Sequence, residues 1–163
     1  MTTTLDVTDM LPKKWEPIQK RRFLGQIEGI DSFFIKTVAL PQIQTEEVAI
    51  NWMNVTRYVA GKTTFGTMAV TLHSGIAPSI AQQIMLWSRS CHDQISGRNG
   101  YADFYKRDMR ILITDPVGNV VQRWDFKGAF ITEANFGDMS YESTNEVAEI
   151  SLTIRYDSMV LVH

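Results

Sequence analysis

The chain has 163 residues, a formal net charge of −2, and 44% hydrophobic against 21% charged residues. That suits one domain with its own core and excludes a global basic field of the kind that holds nucleic acid. Its single cysteine, Cys91, excludes an internal disulfide and fits a reducing compartment.

The N-terminal stretch "MTTTLDVTDMLPKKW" lacks an apolar signal core, and no run approaches the ~20 apolar residues of a membrane span. Synthesis in a cytoplasm without a membrane anchor is therefore expected. Residues 1–20 read as an extended arm, because Pro12 and Pro17 interrupt any helix. "RRFLGQIEGI" and "SFFIKTVAL" read as a hairpin around Gly29-Ile30-Asp31, closed by Pro41. In "EEVAINWMNVTRYV", Val48, Ile50 and Trp52 fall on one face of a strand. Gly61 breaks that pattern and reads as a turn with positive φ. "TTFGTMAVTLHS" resumes it, with Met68, Val70 and Leu72 on one side and Thr67, Ala69, Thr71 and His73 on the other.

One segment changes period. Ile80, Ile84, Trp87, Cys91 and Ile95 recur at helical spacing, which predicts an amphipathic helix over about 78–96. Pro78 suits its first turn and Gly97 its stop. A polar loop, "SGRNGYADFY", follows. "KRDMRILITD" is a strand with Met109, Ile111 and Ile113 on one face, turned at Pro116, Gly118 and Asn119. "VVQRWDFKGAFITEANF" is a long strand bent at Gly128. The last strand, "EVAEISLTIRYDSMVLV", has Val147 as its first core contact. Ile150, Leu152 and Ile154 face inward there; Glu149, Ser151, Thr153 and Arg155 face outward. The expected fold is a single mainly β domain over 1–163. Its form is two packed antiparallel sheets, or a β-barrel-like sandwich, with one flanking helix.

Charge is uneven. Lys13, Lys14, Lys20, Arg21 and Arg22 cluster early, whereas Glu133, Asp138, Glu142, Glu146, Glu149 and Asp157 face a single base, Arg155, at the end. The segments read as two solvated surfaces or as complementary faces that meet between neighbouring subunits.

No catalytic set emerges. Gly61-Lys62-Thr63 looks like the end of a phosphate loop, but the pattern needs a glycine at position 56, which is Thr56, and a helix afterwards, where a strand follows. His73, Cys91, His92 and His163 match no closed zinc spacing, and Cys91 lies on the apolar helix stripe. No Gly-x-Ser-x-Gly elbow is present. No cofactor, metal or nucleotide is expected, and no catalytic residue is assigned. Trp15, in the N-terminal arm, reads as an anchor onto a neighbouring subunit.

Long strands, a lone helix and no catalytic set suit an assembly subunit. The chain resembles the tail tube proteins of contractile-tailed bacteriophages, a family that shares its fold with secretion-system and injection-system tubes. "ALP" at Ala39–Pro41 is similar to the family's strand-ending motif, and "MNVTRYVAGKTTFGTMAVTLH" to its central block. "IAQQIMLWSR" is similar to its helix, and "KGAFITEANFGDMSYESTNEVAEISLTIRYD" to its C-terminal block. Residues 1–20 and the loop Gly97–Phe104 match less well.

The resemblance implies a structural virion protein, made in the host cytoplasm, whose copies form stacked hexameric rings. Their strands join into a continuous barrel around a hollow conduit for DNA ejection, and the helix lies outside. The implied partners are other copies of the chain, a contractile sheath, a tape-measure protein in the lumen, and the baseplate and tube terminator. DNA passes without specific binding, so polar or acidic residues should line the lumen. Glu149, Ser151 and Thr153 are the candidates.

Trp52, Asn54, Arg57, Tyr58 and Lys62 are candidates for contact between rings, with Trp15, Ser143, Asn145 and Glu146 as further interface residues. On this reading "VAGKTTF" is a hairpin turn and Lys62 an interface cation that meets a carboxylate, with Glu142 and Glu146 as guesses. The other reading packs this hairpin within its own subunit. The rivals in function are a tube of a secretion or extracellular injection system, a baseplate-proximal tube component, a small hydrolase and a monomeric binding module.

Overall fold

Alternating apolar and polar residues make most of this chain strand, because a period of two buries one face and solvates the other. The computed structural model describes residues 15–162. In chain order the strands are β1 (Phe23–Ile27), β2 (Ile35–Val38), β3 (Ile43–Trp52), β4 (Val55–Phe65) and β5 (Met68–His73). Helix α1 (Ile80–Cys91) and the one-turn helix α2 (Ala102–Tyr105) follow. The chain closes with β6 (Arg107–Thr114), β7 (Val120–Asn135), β8 (Glu149–Arg155) and β9 (Ser158–Leu161).

Seven strands form one antiparallel sheet in the order β1-β6-β7-β8-β5-β2, with β9 also paired to β7. The first part of β7 pairs with β6 and β9, and the part from Phe130 onward pairs with β8. The pairing changes beside Gly128, whose φ is +66°. There the ladder to β6 shifts register, and the Asp157 carboxylate fills the space a side chain at 128 would need. A bulge with glycine in the left-handed region bends a strand sharply. β7 thereby folds the sheet into two layers. β1 and β2 are its free ends, so the sheet does not close into a barrel.

The core lies between the layers. Met68, Val70 and Leu72 of β5 stand opposite Ile154, Leu152 and Ile150 of β8, and all six are buried. Met109, Ile111 and Phe126 continue this core on the other half. α1 covers it with Ile80, Ile84 and Trp87. The Trp87 indole N–H donates to the Tyr105 carbonyl at 2.7 Å. The Arg107 guanidinium lies 4.8 Å from the Trp87 ring and donates to the Glu28 carbonyl at 2.8 Å. These contacts tie the helix to the start of β6 and the end of β1.

Several expectations need correction. β1 and β2 do not pair with each other; they border β6 and β5 at opposite ends of the sheet. Both edges offer apolar residues to the core, and sequence spacing cannot say which strand each one meets. The helix is shorter than 78–96. Pro78 precedes it, and the Asp93 carboxylate accepts from Ser96 and the Ile95 N–H, which favours a turn over another helical one. Gly97 ends that turn, and Ile95 is exposed. The polar loop holds α2. The last strand is two, β8 and β9, separated at Tyr156-Asp157. Val147 is exposed, and the core contacts begin at Ile150. No helix among the described residues is long and apolar enough to cross a membrane.

Candidate subunit interface

β3 and β4 form a second, two-stranded sheet apart from the body. All ten residues of β3 are exposed, and most of β4 is too. The hairpin is therefore an arm, not a layer of its own subunit. Its register pairs Val48 with Val59, Ile50 with Arg57 and Trp52 with Val55. Directly opposed residues in a ladder share a face. One face thus carries Val48, Ile50, Trp52, Val55, Arg57 and Val59, and the other carries Glu47, Ala49, Asn51, Thr56, Tyr58 and Ala60. On the second face the Thr56 hydroxyl donates to Asn51 Oδ1 at 2.9 Å. Trp52 is 73% exposed and Met53 90%. An isolated two-stranded hairpin is marginal in water, and a row of exposed apolar side chains on one needs a covering surface.

The turn of this arm is Met53-Asn54, with Met53 at φ +49°. It is not Gly61, as its place between two alternating runs implied. Gly61 lies within β4, where the register slips between Thr45↔Thr63 and Glu47↔Ala60. A Cβ there would sit 3.1 Å from both the Glu46 carbonyl and Val48 Cγ2. The glycine permits a close approach across a bulge instead of a turn. Lys62 follows it, exposed, and forms no ion pair among the described residues.

The other expected interface residues lie elsewhere. Ser143, Asn145 and Glu146 are exposed on the segment 136–148 that links β7 to β8. Trp15 is 70% exposed ahead of β1, and Lys13 and Lys14 lie outside the described residues. Trp52 and Arg57 thus share one face of the outer arm, Tyr58 lies on its other face and Asn54 at its tip, whereas the remaining candidates lie off this outer part.

Glu149, Ser151 and Thr153 share the outward face of β8 with Thr71 and His73 of β5, and with Glu133 and Asn135 of β7. Glu149 pairs with Lys36 of β2. This face is rich in hydroxyls, and two of its charges cancel. In the layer formed by β7, β8, β5 and β2, the free edges are β2 and the last residues of β7. Along α1, Met85 and Leu86 border a surface hollow with Phe136. Sequence reading missed a groove between β1 and β2 because it paired those strands. The basic run Lys20-Arg21-Arg22 was its only legible sign. Among the described residues no three His, Cys, Asp or Glu side chains gather to hold a metal.

The family described as T4-like virus tail tube protein gp19 matches residues 19–160. No curated protein matches the chain. Among solved structures, the chain is similar to one in the anti-feeding prophage cap, the AFP tube terminating cap. The TM-score is 0.70 at 19% identity, over 96% of this chain and 98% of that one. A chain of the PVC extracellular contractile injection system sheath–tube complex, in its extended state, gives 0.67 at 17% identity, over 97% and 98%. Hcp1 from Flavobacterium johnsoniae gives 0.54 at 12% identity, over 86% and 94%. At these identities the structures share the fold.

Proposed function

The chain belongs to the T4-like virus tail tube protein gp19 family and is a tail tube protein of a contractile phage or injection system; from that premise we propose that it polymerises into stacked hexameric rings that form a hollow conduit. The observation that carries this reading is the free arm. An exposed β hairpin with one apolar face is a poor feature for a monomer and a suitable one for a filament. In a stack, Trp52, Arg57 and Tyr58 supply the aromatic and arginine anchors typical of binding hot spots. Asn54 lies at the tip, and Lys62 meets a carboxylate of the next ring.

Ring closure has its own support. β2 and the end of β7 are opposite edges of one layer, each with unpaired backbone groups on one side. The layer's strands alternate in direction, so β7 of a second copy meets β2 antiparallel. Head-to-tail pairing of this kind removes both edges and closes if the rotation allows. The outward face with Glu149, Ser151 and Thr153 then lines the lumen. Its hydroxyls, Glu133 and the compensated Glu149–Lys36 pair leave Arg155 as a lone cation on this face among the described residues, too little positive charge to hold a passing polyanion.

In this role the protein is a structural component of the tail, not an enzyme, and DNA leaves through it during ejection. Its partners are a sheath, a tape-measure protein, a baseplate and a terminator, and it is made in the host cytoplasm. The similarity to anti-feeding prophage and PVC chains favours equally a tube that delivers protein cargo from an extracellular contractile injection system. Nucleic acid against protein in the lumen of purified particles separates the two. The chain alone should give hollow rings or tubes in negative-stain electron microscopy. A monodisperse monomer under all conditions sinks the reading.

A further inference from the structure

The groove between the free edges β1 and β2 has a volume of about 690 Å³. Phe23, Val38 and Ile113 line its apolar part, and Lys20, Arg21 and Arg22 stand on its rim. None of these three cations is in an ion pair among the described residues; Arg21 reaches only the Gln19 side-chain carbonyl, at 3.1 Å. Lys36, which also borders the groove, is held by Glu149.

The segment 136–148 has the opposite character. It carries Asp138, Glu142 and Glu146 without a lysine or arginine. None of the three acids is ion-paired among the described residues. Met139 is 89% exposed, and Tyr141 is wholly exposed. The segment therefore presents apolar side chains flanked by acids, and the groove an apolar floor flanked by bases. Two such surfaces on one chain are complementary.

Topology brings them together between copies. Segment 136–148 leaves from the end of β7, one edge of the layer, and the groove lies along β2, the other edge. When β7 of one copy lies antiparallel to β2 of the next, the 136–148 segment leaves beside β2, the strand that borders the groove. We infer that the 136–148 segment of one copy docks in the basic groove between β1 and β2 of its neighbour in the ring. The contact steers the subunits into register through Arg21 and Arg22 against Glu142 and Glu146. It rests on the ring reading above and adds its specific electrostatic lock.

Two double variants of the full chain test it: Arg21→Glu with Arg22→Glu, and Glu142→Lys with Glu146→Lys. Each places like charges across every interface of a ring and should lower the assembled fraction at least about tenfold in sedimentation. Mixed in equal amounts, the two should assemble again, because every alternating interface then pairs opposite charges. Rescue by mixing also excludes an arrangement in which the segment fills its own groove.

Wild-type polymer accompanied by equal polymer from either double variant overturns the contact alone. So does a mixture that stays unassembled while each variant melts like wild type. Wild-type chain that forms no polymer overturns both the ring reading and this contact. Should a double variant fail to fold, disulfide trapping replaces it. Arg22→Cys protein is mixed with Glu146→Cys protein, each also carrying Cys91→Ser. A crosslinked heterodimer under oxidation supports the contact, and its absence overturns it.

Discussion

Two antiparallel strand pairs of this protein follow the same rule and end in opposite environments. On β5 and β8, alternation presents Met68, Val70 and Leu72 against Ile154, Leu152 and Ile150, at 0–1% exposure. On β3 and β4, it presents Val48, Ile50 and Trp52 beside Val59, Arg57 and Val55, at about half exposure or more for the apolar members. Alternation states that a face is to be covered, not what covers it. The body completes itself within one chain, whereas in the proposed tube the arm is completed by another.

The sharpest way to break this comparison is Trp52→Ser. In the free chain it should change stability by no more than about 0.5 kcal/mol, as an exposed substitution does. Polymer should be lost almost completely, because a central aromatic anchor is worth about 2 kcal/mol or more at each contact. Urea unfolding paired with sedimentation reads both quantities. A large loss of monomer stability would mean that the arm packs on its own body.

Leu152→Ala is the complementary test. It opens a cavity between β5 and β8 and should cost about 2–5 kcal/mol in urea unfolding, with or without polymer. A smaller effect comes from Gly61→Ala. A methyl group 3.1 Å from the Glu46 carbonyl must push β3 and β4 apart at the bulge. Assembly should weaken while the melting of the body is unchanged, as read by near-UV circular dichroism of the free chain.

The smallest effect concerns Tyr156, at the junction of β8 and β9. Its ring packs 5.0 Å from that of Phe126 and 6.0 Å from that of Phe65. Burial raises its phenol pKa above the ordinary value near 10. The unfolded chain therefore ionises first. The contribution of Tyr156 is complete below the ordinary pKa and is lost as pH rises through the folded one. Stability measured from about pH 9 to about pH 11 should fall in the wild type and fall less steeply in Tyr156→Phe.

Much of the body was legible from residue order. Ile150, Leu152 and Ile154 face inward as their spacing demands, and Gly128 bends β7. Ile80, Ile84 and Trp87 mark the helix face, because helical periodicity is local and strong. The errors concern partners and ends. β1 and β2 look like a hairpin because they are adjacent and similarly patterned, yet each finds a better-packed neighbour farther along the chain. Gly61 looked like a turn because it interrupts alternation, and a bulge interrupts it too. The grouping of Trp52, Asn54, Arg57 and Tyr58 was legible as a contiguous stretch. The groove was not, since it is made by two strands that sequence adjacency had paired.

By itself, the sequence determined the class of fold, the faces of the core strands and the absence of a phosphate-loop pattern. These depend on side-chain period and local spacing, which each segment carries alone. Only the tertiary structure decided that β3 and β4 leave the body, that β7 belongs to two layers, and that β1 and β2 stand as open edges around a groove. Those outcomes depend on which distant segments exclude water best together, a competition that no single stretch of the chain contains.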